Sequence, residues 1–240
     1  MADKNTTSSL NIYARLAGLT YIVVILLGIL SASYIDSNIV VPGTDTDTVN
    51  KLMTNELGFR ISVLSETVMY ALVVLLSLAL YVLLNTINQN IALLALLWRL
   101  GEAIIGVNVA VLGGLIPLLL VDHEAALQTE QLQSLVGIFL GIHKVGLDIV
   151  LIFIGFGGTL FCYLFFKSKY IPRTLSVWGM LTYLSMLILA ITSILVPNLS
   201  ESIKIAFYAP GGLFEIIIGL WLLIKGINVE YWHGKASNPV

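Results

Sequence analysis

Charge is what this sequence has least of. Lys and Arg number 12 and Asp and Glu 14 in 240 residues, so only 11% of the chain is charged. Soluble globular domains carry about 25% charged and about 45–50% apolar residues. Here 58% is hydrophobic, and too few polar residues remain to coat a water-facing surface. A soluble single-domain enzyme is all but excluded. The net charge of −2 offers no basic surface, and no nucleic-acid partner is predicted.

Other absences narrow the chemistry. A single cysteine, Cys162, rules out an internal disulfide and a redox pair. The three histidines, His123, His143 and His233, are dispersed, so a paired-His zinc motif is missing. Only one of them lies in an apolar run, too few for a pair of haem axial ligands. Asp148 is the one aspartate at such a position, which speaks against a paired-aspartate intramembrane protease. There is no Gly-x-Ser-x-Gly elbow and no Gly-rich phosphate loop. Neither a cofactor nor a metal is predicted, and these absences together weigh against an enzyme.

What is present is six long apolar runs: Leu16–Tyr34, Ile61–Leu84, Ile91–Leu120, Leu135–Phe166, Leu175–Val196 and Ile205–Ile227. About 20 apolar residues cross a bilayer as a helix. Continuous rather than alternating hydrophobicity excludes a β-barrel, and in hydrocarbon the backbone must satisfy its own hydrogen bonds. The predicted fold class is all-α: a polytopic membrane helix bundle with six transmembrane helices, residues 1–240 forming one integral membrane domain in the lipid bilayer. Ser31-Ala32-Ser33 loosely resembles a signal-peptide cleavage site, but the first apolar run is long for a signal peptide and reads as an ordinary span.

Orientation follows the basic residues. With the N-terminus inside, the inner segments hold Lys4, Arg15, Lys167, Lys169, Arg173, Lys225 and Lys235, and the outer loops hold only Lys51, Arg60 and Lys204. A multi-pass protein of the cell membrane with both termini cytoplasmic is expected. In the first outer loop, Val41-Pro42-Gly43 reads as a turn and Thr44-Asp45-Thr46-Asp47 supplies helix caps. Val49, Leu52, Met53 and Leu57 recur at helical spacing, so a short amphipathic helix ending near Gly58 is expected there.

The ionisable residues inside the runs are Glu66, Arg99, Glu102, His143, Lys144, Asp148 and Glu215. Such a residue at a helix centre costs about 2.5–3.5 kcal/mol on insertion scales, so these should face one another, water or a ligand. Arg99 and Glu102 share a stripe with Ala95, Gly106, Ala110 and Gly113; Lys144 and Asp148 share one with Gly137, Gly141, Gly155, Thr159 and Cys162. Small residues permit close helix approach, which turns these stripes toward the bundle interior. At about 1.5 Å per residue, Glu102 and Glu215 fall near mid-membrane, Arg99 and Asp148 somewhat nearer the cytoplasm, and Glu66, His143 and Lys144 nearer the outside. A central ligand-binding cluster of Arg99, Glu102, Asp148 and Glu215 is expected, with Lys144 as its outer neighbour.

Several short motifs occur in a telling order: Val41-Pro42-Gly43, Phe59-Arg60, Arg99-x-x-Glu102, Gly155 before Tyr163, Lys169-Tyr170-Ile171-Pro172-Arg173, and Glu215 before Trp221-Leu222-Leu223-Ile224-Lys225-Gly226. With them the chain resembles an uncharacterised prokaryotic membrane family, a domain of unknown function numbered four-three-eight-six, from about Arg15 to Gly226. The resemblance implies six membrane helices and no established activity.

Three readings of function stay open. The charged cluster could bind or transport a small molecule or ion. The charges could instead be clamps in a structural or accessory protein. In the third reading, His143 or Glu66 would serve as acid–base groups of an enzyme acting on a lipid-like substrate.

Overall fold

The computed structural model describes residues 4–39, 45–123, 128–196 and 199–228, and among them every regular element is helical. In chain order these are α1 (Lys4–Asn38), α2 (Asp45–Thr54), α3 (Glu56–Leu84), α4 (Gln89–Ala110), a π-helical turn (Val111–Leu115), α5 (Ile116–Asp122), α6 (Thr129–Ser168), α7 (Arg173–Leu195) and α8 (Glu201–Ile224). Six segments are long and apolar enough to cross a membrane: Ser9–Ile35, Glu56–Leu84, Gln89–Asp122, Thr129–Ser168, Arg173–Leu195 and Ser202–Ile224. The protein is a multi-pass membrane helix bundle. Leu26, Leu64, Ile104, Leu181 and Ile188, each at least 59% exposed, suit its lipid-facing surface. The turn expected at Val41-Pro42-Gly43 lies outside the described residues, as do Thr44, Glu124 and His233.

The spans close into a ring. α1 packs on α3, α3 on α4, α4 on α6, α6 on α7, α7 on α8, and α8 back on α1. The α8–α1 closure is backbone on backbone. A Cβ on Gly18 would lie 2.5 Å from the Leu223 amide nitrogen and 2.6 Å from the Gly219 carbonyl oxygen, so only glycine permits that approach.

At one end, here called basal, the connections are short. Asn88 caps α4 by accepting a 3.0 Å hydrogen bond from the Ile91 amide. Lys169 ends α6 in the left-handed region (φ 59°), and Pro172 opens α7. The tail is pinned there too: the Ile227 amide donates to Asn11 Oδ1 and the Asn228 amide to the Tyr170 carbonyl.

At the opposite, apical end sits α2. Val49 and Leu52 are buried among Ile39, Phe59, Leu118 and Val136. Burying each such side chain contributes about 1.5–3 kcal/mol. Thr46 Oγ1 also donates to Gln133 Oε1 of α6 at 3.1 Å. This helix stops at Thr54 rather than near Gly58. Thr54 Oγ1 bonds the carbonyls of Asn50 and Lys51, and the Asn55 side-chain amide also reaches Lys51. These side chains satisfy carbonyls that a helix end leaves open. Leu57 and Gly58 belong to α3, and Leu57 points outward, 73% exposed.

The third span is interrupted by the π-helical turn. Pro117 has no N–H for the carbonyl four residues back, and a widened turn absorbs that mismatch. Gly113 in this turn lies against His143: a Cβ there would sit 2.2 Å from the His143 Cβ.

Candidate functional site

The ring topology turns one face of each span toward a shared interior. On α4, Arg99 and Glu102 stand three residues apart and are 4% and 2% exposed. Arg99 Nη1 lies 2.6 Å from Glu102 Oε2, yet no N–H is aligned on that oxygen. The contact is an ion pair without a directed hydrogen bond. Opposite it, α8 contributes Glu215, whose Oε1 accepts a 2.9 Å hydrogen bond from the Tyr183 hydroxyl of α7. Tyr21 of α1 is 3% exposed and lies close enough to Arg99 and Glu215 to feel both charges.

Axial positions agree. At about 1.5 Å per residue, Arg99 lies about 15 Å from the basal end of α4, Glu215 about 14 Å from that of α8, and Tyr183 about 15 Å from that of α7. That is half of a hydrocarbon core of about 30 Å.

A cavity of about 120 Å³ opens beside the group. Arg99, Glu102, Glu215 and Tyr70 supply its polar wall; Val24, Ile25, Gly28, Met69, Val73 and Ile154 supply the apolar one. These residues come from α1, α3, α4, α6 and α8. A buried water needs roughly 10–15 Å³ of such space and two to four polar partners, so the cavity has room for several waters or one small ligand. Among the described residues no three His, Cys, Asp or Glu side chains gather as a metal site.

The structure does not bring all five expected site residues together. Arg99, Glu102 and Glu215 meet at the cavity. Asp148, although 7% exposed, accepts a 2.8 Å hydrogen bond from Ser193 near the apical end of α7. It stands about 30 Å from the basal end of α6, at 1.5 Å per residue. The physical reason is helix length. α6 has 40 residues and its apical part packs beside α2, so the middle of the helix is not the middle of the membrane. Lys144 sits on the exposed side of α6, and the stripe it shares with Gly141 turns away from the interior at that level.

A second polar pair lies nearer the apical end. Nε2 of His143 on α6 is 2.9 Å from Oε2 and 3.1 Å from Oε1 of Glu66 on α3. Both side chains are largely buried, at 14% and 6% exposure.

Sequence reasoning missed Tyr21 and Tyr183 as members of the site. A signal existed: most of the ten tyrosines fall near predicted membrane boundaries, whereas Tyr21, Tyr70 and Tyr183 fall inside the runs. A tyrosine in hydrocarbon needs a hydrogen-bond partner, and a buried carboxylate is one.

No curated protein and no solved structure matches the chain. The family model described as Domain of unknown function (DUF4386) matches residues 16–226, and the chain belongs to that family.

Proposed function

We propose that this integral membrane protein binds a small cation, the proton included, in the mid-membrane cavity and moves it across the bilayer. Glu102 and Glu215 are the exchangeable carboxylates in this reading. Arg99 neutralises one of them, and the remaining negative charge is what a proton or a small cation would balance. One observation carries the reading: two carboxylates from different helices border one cavity that contains a single guanidinium. Five spans contribute to that cavity, which supports treating residues 1–240 as one integral membrane domain. The excess of basic residues at the basal end supports a cytoplasmic basal face.

The clamp reading fits less well. Arg99 and Glu102 lie on the same helix, so their pairing fixes no register between helices. The Tyr183–Glu215 bond does join two spans, but it leaves Arg99 and Glu102 out.

Proteoliposomes with wild type, Glu102→Gln and Glu215→Gln test the proposal. Imposed proton and cation gradients should dissipate faster with wild type than in empty vesicles, and each Gln variant should abolish the difference. Equal rates in wild-type and empty vesicles across protons, alkali cations and small ammonium ions would overturn it.

A further inference from the structure

We propose that Glu66 and His143 form a second proton site, near the apical boundary, which exchanges protons with the mid-membrane carboxylates through Tyr70. The inference rests on reading the cavity as a cation or proton site, and it adds a side of entry and a route.

The pair is built to share a proton. His143 Nε2 lies within 3.1 Å of both Glu66 oxygens, so its N–H donates to the carboxylate, or the protonated carboxyl donates to a neutral ring. Glu66 stands about 27 Å from the basal end of α3 at 1.5 Å per residue, near the far edge of a hydrocarbon core of about 30 Å. Gly113, in the π-helical turn, makes the room in which the imidazole sits.

Tyr70 is one helical turn below Glu66 on the same face of α3. Its ring packs over Gly106 of α4, and the residue borders the cavity together with Glu102. The phenol lies within electrostatic reach of both Glu66 and Glu102. The order from the apical side is therefore His143, Glu66, Tyr70, Glu102, and then Glu215 across the cavity. Few other ionisable groups compete. α6 carries Lys144 and Asp148 near His143; α3 carries Glu56 and Arg60, paired with each other, apical of Glu66; α4 to α5 carries none between Glu102 and Asp122; α7 carries none apical of Tyr183; α2 brings Asp47 and Lys51 at the apical end.

The transfer balances. The imidazolium passes its Nε2 proton to the Glu66 carboxylate and becomes neutral. Protonated Glu66 gives a proton to the Tyr70 hydroxyl oxygen while that hydroxyl releases its own to the Glu102 carboxylate, directly or through water in the cavity. Glu66 ends as a carboxylate, Glu102 as a carboxylic acid and Tyr70 unchanged.

Hydrogen–deuterium exchange of buried carboxyl groups, followed by infrared spectroscopy on the full chain in lipid nanodiscs, tests this. Glu102→Gln and Glu215→Gln assign the mid-membrane carboxyl bands. Those bands should exchange rapidly in wild type and about 10²-fold more slowly in Tyr70→Phe, Glu66→Gln and His143→Asn, the scale of a positioned proton-transfer group. Tyr70→Phe removes one oxygen and keeps the ring over Gly106, so its melting temperature controls for misfolding. Exchange at the wild-type rate in Tyr70→Phe and Glu66→Gln, with the bands still assigned to Glu102 and Glu215, overturns the relay and leaves the cavity reading standing. Absence of any protonated band that depends on Glu102 or Glu215 also overturns the relay, and the cavity reading falls with it only where the gradient assay shows equal rates in wild-type and empty vesicles.

Discussion

The mid-membrane pair and the apical pair place similar groups in different relations to the fold. Arg99 and Glu102 stand on one helix and would stay adjacent if α4 were removed from the bundle. Glu66 and His143 stand on α3 and α6 and meet only because the bundle folds. An intrahelical ion pair in an apolar interior costs desolvation and braces nothing between helices. An interhelical pair fixes the position of one span against another. The comparison teaches that burial of a charge is no measure of its structural role. The pair with the smaller exposure has less to do with holding the helices together.

The largest effect should come from breaking the buried ion pair on one side only. Arg99→Leu leaves Glu102 facing apolar walls without its counter-charge, a loss of about 3–5 kcal/mol by analogy with other broken buried pairs. The double variant Arg99→Leu/Glu102→Leu should recover most of that loss while abolishing cation movement. Thermal unfolding in detergent reads both. A double variant as unstable as the single would show that the pair braces the bundle after all.

The apical pair should behave in the opposite way. Glu66→Leu removes a charge-assisted hydrogen bond between helices and leaves His143 unpartnered, about 1.5–3 kcal/mol. Glu66→Leu/His143→Leu should restore less than the mid-membrane double does, because the link between α3 and α6 is gone in either case. A double-mutant cycle on the same melting transitions gives the coupling energy. A coupling indistinguishable from zero would sink the bracing role of this pair.

These contrasts were partly legible in the sequence, and the pattern of success has physical causes. Six continuous apolar runs can only be spans, and the spacing of Arg99 to Glu102 puts them on one helical face whatever surrounds them. Glu215 was placed at mid-depth because α8 is close to one bilayer thickness long. Asp148 was assigned to the same central cluster, whereas the structure sets it nearer the apical end, because α6 is much longer than the bilayer and counting residues along such a helix says little about depth. The π-helical turn at Val111–Leu115 left no trace in periodicity, since its residues are apolar on all sides. Its cause, Pro117 after Gly113-Gly114, was visible but admits a simple kink as readily. The Glu66–His143 contact joins residues 77 positions apart and depends on the order of helices around the ring, which hydropathy does not encode.

That π-helical turn offers a third, smaller test. Gly113→Ala inserts a methyl group where the His143 Cβ already sits. Overpacking of this kind typically costs about 1–3 kcal/mol, and the displaced ring should lose its contact with Glu66. The melting temperature reports the cost, and the imidazole nitrogen resonances report the contact. Gly114→Ala meets the Val63 methyls instead. It should lower stability without changing the His143 signal, so a shift of that signal in both variants would detach the effect from the dyad.

The smallest effect belongs to a third cluster, at the apical surface. Arg60 Nε lies 2.6 Å from Glu56 and its Nη2 3.0 Å from Asp122, with side chains 39–44% exposed. By distance alone it matches the Arg99–Glu102 pair, and it joins α3 to α5 besides. Solvent at the apical surface screens it, however, and exposed ion pairs commonly contribute little that can be measured. Arg60→Ala should leave the melting temperature unchanged at high salt and lower it only slightly at low salt. Arg99→Leu should lower it at both, because a buried pair is screened by salt far less than an exposed one. If both variants responded to salt alike, the mid-membrane charges would have to be in contact with bulk water, and the distinction between a buried site and a surface pair would fail.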